Sequence, residues 1–267
     1  MHIQYLDKIR KHNPLIHNIT NLVSANFTAN GLLALGASPM MAESPDEMAE
    51  LAALSGALVL NLGTPSDEKV AAMLNAGAAA NRANVPIVLD PVAVAASALR
   101  RNTVSKLAQN MQFSAIRGNA GELAYLAGVD WQAKGVDAGS GSADLAQIAQ
   151  TVAQKLNCVA ILSGEVDYIA DGKQFISLHN GTTLFPKVTA SGCLLSAVVG
   201  AFLAVAPREN VFQAAAEAVA VYTVAGELAA QDLSPTQSGT FAWKLLDTLA
   251  AVSAEQVAQL VHLQQGN

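Results

Sequence analysis

The sequence predicts an α/β protein in which helices cover both faces of a mostly parallel sheet. Short apolar runs rich in β-branched residues recur along the chain, and alanine-rich segments of helical length separate them. In addition, 52% of the 267 residues are hydrophobic and only 13% are charged, so small aliphatic side chains must build a substantial core. A chain of this length is expected to fold as one domain, spanning residues 1–267.

Four buried strands are predicted where apolar runs stop at a polar or glycine residue. They cover residues 57–61, 85–90, 114–117 and 159–163. Helices are predicted over the alanine-rich segments 65–84, 98–112, 122–127 and 142–156. Strands that alternate with helices pair in parallel, because each crossover helix returns the chain to the same end of the sheet.

The pattern changes after the fourth strand. Segments 166–170 and 175–178 flank Asp171-Gly172-Lys173, a turn signal that predicts an antiparallel hairpin. After Gly192 the sequence is almost wholly helical, and three helices are predicted over 193–205, 211–231 and 241–263. The one segment of linker composition, 135–141, is short for a domain linker, which agrees with a single domain.

Charge and cysteine content exclude several functional classes. The formal net charge is −6 with scattered Lys and Arg, which argues against a nucleic-acid-binding protein. The longest apolar run, 194–206, is too short to span a bilayer, and no signal peptide is evident, so no membrane association is expected.

Two distant cysteines without metal-ligand spacing predict reduced thiols in a cytoplasmic protein. The low charge content also favours a homo-oligomer.

Ligands of open α/β sheets bind beyond the carboxyl ends of the strands, so polar residues that end strands are the first candidates. Asp90 ends a very apolar strand, and Pro91 prevents simple continuation. A carboxylate there stays ionised only if it is solvated, hydrogen-bonded or paired with a cation, which suits a water-mediated Mg²⁺ site. The alternative is that Asp90 caps the following turn, and both interpretations stay open.

The segment Arg117-Gly118-Asn119-Ala120-Gly121-Glu122 follows the next strand. The planar guanidinium of Arg117 suits phosphate, because it can bind two oxygens at once. Glu122 is a candidate for holding the water shell of Mg²⁺, with Asn119 in support. Locally, Asn119 followed three residues later by Glu122 also makes a capping box, and the local sequence favours that role, which is partly compatible with the first.

Small residues in Thr189-Ala190-Ser191-Gly192-Cys193 lead directly into an apolar helix. Successive N–H groups at a helix N-terminus bind anions and suit a phosphoryl group in transfer, although a structural turn would look similar. Neither a P-loop ending nor a GxGxxG motif is present. Met40-Met41 offers a soft wall for a sulfur-containing ring, but methionine is more often core filler.

Six short motifs occur in order along the chain: PLIHNITN at 14–21, FTANGLLALGASP at 27–39, LDPV at 89–92, IRGN at 116–119, SGEVDY at 163–168 and SGC at 191–193. Together they closely resemble the hydroxyethylthiazole kinase family of thiamine salvage. The resemblance covers nearly the whole chain. It implies a ribokinase-like three-layer α/β/α fold without a separate lid domain, a homotrimer, and a thiazole pocket at the subunit interface.

The same resemblance implies a role for each matching residue. ATP would act as co-substrate with Mg²⁺, and Cys193 would replace the aspartate base of sugar-kinase relatives. At a helix N-terminus its thiol is expected to have a lowered pKa and a modest role as base. The implied sites are Asn21, Met41 and Ala190 for the thiazole, Arg117, Ser163 and Gly192 for ATP, Asp90 and Glu122 for the metal, Asn119 in support, and Cys193 in catalysis.

Two departures from the family pattern are visible. Ala190-Ser191 stands where Gly-Thr is commoner, and SPTQSG at 234–239 replaces Gly-Pro-Gly-Ser. Neither removes a required chemical group, although a Cβ at Ala190 bears on ring preference. The alternatives are a hydroxymethylpyrimidine or pyridoxal kinase on the same fold, and a non-catalytic thiazole or nucleotide sensor.

Overall fold

The computed structural model describes residues 1–131 and 144–266. The linker-like segment 135–141 and the predicted helix start at 142–143 lie outside these residues. Within them, strands form one sheet between two helical layers: β1 Leu15–Ile19, β2 Ser38–Met40, β3 Ala57–Asn61, β4 Ile87–Asp90, β5 Ala115–Asn119, β6 Val159–Ser163, β7 Asp167–Ala170, β8 Phe175–Leu178 and β9 Leu263–Gly266.

The helices of the described residues follow in chain order. They are α1 Leu6–His12, α2 Ala25–Leu35, α3 Met48–Leu54, α4 Asp67–Ala83, α5 Ala98–Asn110, α6 Ala120–Ala127, α7 Leu145–Leu156, α8 Ser191–Val205, α9 Val211–Ala230, α10 Ser238–Ala251 and α11 Ala254–Leu260. Local signals set several of their ends. The Ser66 and Ser97 side chains accept hydrogen bonds from the first turns of α4 and α5, and Gly128 ends α6 in the left-handed conformation.

The strand order is β2-β1-β3-β4-β5-β6-β7-β8-β9. Strands from β2 to β6 run parallel, and β7, β8 and β9 are antiparallel. Because the register pairs Asn61 with Asp90 and Asn119 with Ser163, polar residues that end four separate strands lie at one edge of the sheet. This is the edge at which open α/β proteins bind ligands.

Side chains of the sheet alternate between two cores. Ala57 and Val59 of β3 belong to the core formed with α1, α2, α8, α9 and α10, whereas Leu58 and Leu60 belong to the core formed with α3 to α7. Helix α8 packs on β1, β3 and β4. An added Cβ at Gly200 would lie 2.7 Å from Val59 Cγ2, so glycine permits this close approach of helix and sheet.

The fold prediction is confirmed in class, with one wrong element. The four predicted strands, the hairpin and the first two C-terminal helices are present, with ends shifted by up to a few residues. The third, predicted over 241–263, is wrong: α10 ends at Ala251, Ser253 starts α11 with a capping box to Gln256, and β9 follows. The chain leaves the helix because β9 completes the sheet against β8.

Candidate active site

A cleft of about 1020 Å³ opens at the carboxyl ends of β4, β5 and β6, which is enough for a small ligand. Predicted site residues from four separate parts of the chain line it. They are Asp90, Arg117, Asn119, Glu122, Ser163, Ala190, Gly192 and Cys193. The loop after β8 and the first turn of α8 supply further walls.

Asp90 is a buried carboxylate with incomplete hydrogen bonding. Its Oδ2 accepts a hydrogen bond of 2.7 Å from Ser196 Oγ and lies 3.8 Å from Nη1 of Arg117, whereas Oδ1 has no hydrogen-bond partner among the residues that the structure describes. Burial raises the pKa of Asp90 above its ordinary value, and the positive charge of Arg117 opposes that rise. The Asp90 side chain therefore contacts Ser196 and Arg117, and it does not cap the turn at Pro91.

Arg117 forms the centre of the site. Its Nη2 donates a hydrogen bond to Ser163 Oγ, and the side chain is only 14% exposed. The guanidinium lies against the start of α8, where a Cβ at Gly192 would approach Nη1 to 2.5 Å. A larger residue at position 192 would therefore force the guanidinium to move from its present position.

Glu122 and Asn119 form the predicted capping box. Asn119 Oδ1 accepts from Glu122 N, and Glu122 Oε2 accepts from Asn119 N at 2.8 Å. In addition, Glu122 Oε1 accepts from Ala93 N at 2.7 Å. The cap is confirmed, and because the buried carboxylate also lines the cleft, the cap holds a negative charge beside Asp90.

Cys193 lies in the first turn of α8, after Ala190 in the left-handed conformation. Its Sγ lies 3.2 Å from Asn61 Nδ2 and 3.5 Å from Asn21 Nδ2, both donors. The expected lowering of the thiol pKa is wrong: burial, with the charge of Asp90 second, raises it. Desolvation outweighs Arg117 and the amide donors, so the thiol stays protonated at neutral pH.

Asn61 and Asp167 are site residues that the sequence analysis did not assign. Asn61 Oδ1 accepts from Asn21 Nδ2 at 2.8 Å, so the two amides form a pair beside the thiol of Cys193. Asp167 lines the cleft, accepts a hydrogen bond from Gly164 N, and has its pKa raised by burial to about 7. Asn61 was accessible to the rule used for Asp90, since it ends a strand, whereas Asp167 begins β7 and reaches the same edge because that strand is antiparallel.

The predicted thiazole residues do not meet in one place. Ala190 lines the cleft, and Asn21 reaches it through Cys193. Met41 follows β2, is partly buried, and does not line the cleft formed by the described residues. Asn21 and Met41 follow β1 and β2, at one end of the strand order, whereas Arg117 and Ser163 lie on β5 and β6.

The residues of the cleft fit a hydrated metal ion better than a directly coordinated one. Within residues 1–131 and 144–266, His, Cys, Asp and Glu form no group of three or more that would hold an ion by themselves. Asp90 and Glu122 nevertheless bring two carboxylates to the cleft, and Asp90 Oδ1 is unpartnered. Oxygen donors that leave most positions to water suit Mg²⁺, which dehydrates reluctantly.

The sequence model of the hydroxyethylthiazole kinase family matches residues 6–255. The chain belongs to this family. A hydroxyethylthiazole kinase from Glaesserella parasuis serovar 5 is 72% identical over 97% of the chain and 96% of its own length. One from Listeria monocytogenes serotype 4a is 52% identical over 97% of the chain and 96% of its own length.

Solved structures agree with this membership. The hydroxyethylthiazole kinase protein from Pyrococcus horikoshii OT3 superposes with a TM-score of 0.90 at 32% identity, covering 99% of this chain and 98% of its own. A pyridoxal kinase from Staphylococcus aureus reaches 0.60 at 16% identity, covering 79% and 86%, and shows the shared fold alone. The ribokinase-like fold class and the assignment as a hydroxyethylthiazole kinase are thereby confirmed.

Kinase activity on hydroxyethylthiazole is therefore favoured over the pyridoxal and hydroxymethylpyrimidine alternatives. In the described part of the chain, no helix combines the length and apolarity that crossing a membrane requires.

Proposed function

We propose that residues 1–267 form a single kinase domain that transfers the γ-phosphoryl group of ATP to the hydroxyl of 4-methyl-5-(2-hydroxyethyl)thiazole. The products are thiazole phosphate and ADP, in thiamine salvage and biosynthesis. The observation that carries the proposal is the cleft in which Arg117, the N-terminus of α8 and two carboxylates converge, in a chain whose residues 6–255 match the family.

In this proposal Arg117, Ser163 and Gly192 bind the phosphates of ATP. Arg117 is held by Ser163 on one side, and its guanidinium lies against Gly192 on the other. A guanidinium fixed in this way costs little rearrangement when it meets phosphate oxygens. In the first turn of α8, Ser191 N donates to Val188 O and Leu194 N donates to Ala190 O, so the N–H groups of Gly192 and Cys193 are the ones assigned to the same phosphate.

Asp90 and Glu122 are the proposed holders of Mg²⁺ through its water shell, with Asn119 positioning Glu122. Bound there, the ion would offset negative charge on the β- and γ-phosphates. Asp90 Oδ1 is buried and has no hydrogen-bond partner within residues 1–131 and 144–266, so it is the carboxylate oxygen proposed for this role. Two backbone N–H groups, those of Ala93 and Asn119, fix the position of the Glu122 carboxylate in the cleft.

The alcohol oxygen attacks the γ-phosphorus in line while the bond to the β–γ bridging oxygen breaks, and the alcohol proton leaves late. Such loose transfer depends mainly on positioning and charge neutralisation. Cys193 is proposed to orient the hydroxyl, and only its thiolate form accepts the alcohol proton, a modest role because burial keeps most of the thiol protonated at neutral pH. Where the thiol is protonated, the alcohol proton passes to an oxygen of the transferred phosphoryl group. The amides of Asn21 and Asn61 direct N–H groups at the sulfur and so favour transient thiolate.

A homotrimer would complete the thiazole pocket. Leu22 and Val23 are 79% and 66% exposed directly after Asn21, and Trp243 is 67% exposed. Exposed apolar side chains beside a site are typical of subunit contacts. We therefore propose that Asn21 and Met41 of one subunit, with Ala190 of a neighbour, contact the thiazole. Two free cysteines agree with a reducing, cytoplasmic location.

The test is a coupled assay of ADP formation with hydroxyethylthiazole and MgATP, with mass spectrometry of the phosphorylated product. Pyridoxal and hydroxymethylpyrimidine serve as competing alcohols. We expect the thiazole to have the highest kcat/KM. Folded protein that forms no thiazole phosphate, or that prefers another alcohol, would refute the proposal; binding of thiazole without turnover would identify a sensor.

A further inference from the structure

The loop after β8, which covers residues 179–182, is a wall of the cleft. His179, Asn180, Gly181 and Thr182 all line the cleft. Gly181 and Thr182 also line a second cavity, of about 330 Å³, so there is space on two sides of them. Apart from its neighbours in the chain, a Cβ added at Gly181 would find no atom of the described residues within 4 Å. Hydrogen bonds, and not side-chain packing, must therefore hold this part of the loop.

One side chain supplies two of those hydrogen bonds. Glu227, on α9, accepts from Asn180 Nδ2 at 2.8 Å through Oε2 and from Gly181 N at 2.9 Å through Oε1. Glu227 is not among the residues that line the larger cleft. Each carboxylate oxygen therefore accepts a hydrogen bond from a different residue of the loop, from a position outside the cleft.

Asn180 also forms hydrogen bonds with residues near the C-terminal end of the described chain. It is buried, its Nδ2 also donates to Leu260 O at 2.9 Å, and its Oδ1 accepts from His262 N at 2.7 Å. His179 N donates to His262 O as well, just before β9 begins. The loop is thus tied on one side to α9 and on the other to the segment that leads into β9.

The strand order decides which substrate this wall faces. β8 ends beside the start of β7, since the register pairs Leu178 with Asp167, and β7 neighbours β6, which carries Ser163. Asn21 and Met41, the proposed thiazole residues, follow strands at the other end of the sheet. The loop therefore borders the half of the cleft assigned to the nucleotide.

We propose that Glu227 is a positioning residue for ATP, which holds Asn180 and Gly181 in the conformation that forms the nucleotide side of the cleft. The inference rests on the proposed function of that cleft. Gly181 has φ 143°, a conformation that glycine adopts readily and other residues rarely do, so the backbone of the loop depends on glycine at this position. A carboxylate is needed at position 227 because both of its oxygens accept hydrogen bonds. In a glutamine, one of these oxygens becomes an NH₂ group, and this donor would face the N–H donor of Asn180 or of Gly181.

The test is Glu227→Gln, with Glu217→Gln as matched control. Glu217 is a buried carboxylate on the same helix that accepts from the N–H groups of Gln4 and Tyr5, and it does not line the cleft. We expect Glu227→Gln to raise KM for ATP about tenfold and to leave kcat and KM for the thiazole within about twofold. Glu217→Gln should lower Tm and leave all three constants unchanged.

Two results would overturn the inference: a Glu227→Gln protein with lower Tm and unchanged KM for ATP, or equal changes in KM for both variants. Titration calorimetry with ADP measures the nucleotide side without turnover. A parent protein that binds ADP but forms no thiazole phosphate would refute the proposed reaction, while the Kd of the variants still decides the role of Glu227. Should Glu227→Gln not fold, Gly181→Ala perturbs the same loop, and an unchanged Kd for ADP would refute the idea.

Discussion

The substitution Gly192→Ala tests how closely the activity depends on the position of Arg117. The new Cβ would lie 2.5 Å from Nη1, 2.9 Å from Nη2 and 3.1 Å from Cζ, whereas ordinary contacts begin at 3.4 Å. The guanidinium must therefore retreat by about 1 Å, and it then loses its present approach to Asp90 and Ser163. A displacement of about 1 Å in a catalytic group costs about a hundredfold in rate, or roughly 2.7 kcal/mol of transition-state stabilisation.

The expected result is a kcat/KM for ATP about a hundredfold below that of the parent, with the fold intact. Alanine stabilises a helix by about 1 kcal/mol relative to glycine, and this gain opposes the strain of the close contact with Arg117. Tm should therefore change little. Gly239→Ala is the matched control, because it lies in α10 and a Cβ there meets nothing within 4 Å. The measurement is steady-state kinetics at saturating thiazole. A Gly192→Ala enzyme within twofold of the parent would refute the argument that Gly192 makes room for a phosphate-binding arginine.

Three further outcomes are expected. Cys193→Ala should lower kcat about tenfold to a hundredfold and remove a rise in kcat with pH in the alkaline range; parent-like turnover would exclude a catalytic thiol. The pKa of Asp167 is 3.8 in the unfolded chain, and burial raises it to about 7 in the folded protein. Between these two pH values the folded state binds more protons than the unfolded state. The free energy of unfolding therefore falls as pH rises from about 4 to about 7. Urea unfolding should show that Asp167→Asn loses less stability than the parent over this range, whereas equal losses would contradict the assignment. Gly200→Ala should cost about 1–3 kcal/mol of unfolding free energy, because its Cβ would lie 2.7 Å from Val59 Cγ2; an unchanged urea midpoint would show that α8 shifts freely.

Sequence patterns that act over a few residues were sufficient for much of the fold. The strand Ala57–Asn61 follows from a short apolar run that ends in a polar residue, and the capping box of Asn119 and Glu122 follows from their three-residue spacing. The periodicity that predicted one long C-terminal helix could not indicate its end, because β9 forms only when β8 is beside it.

Candidate residues of the site were likewise predictable one strand at a time. Asp90 and Arg117 each end or follow an apolar strand, and family motifs connect both to phosphate chemistry. Asn61 satisfies the same rule and was missed because, unlike Asn119 and Ser163, it lies in none of the six family motifs. The contact of its amide with Cys193 joins residues from β3 and α8 and has no local signature.

The sequence alone determined the alternation of strands and helices, the polar residues at the strand ends and the family. The tertiary structure alone decided the protonation of Cys193 and the link from Glu227 to the cleft wall. Helix position predicts a lowered thiol pKa, but burial and the charge of Asp90 reverse it. Desolvation and Coulomb interactions depend on distance in space, and the groups that exert them here are far apart in the chain.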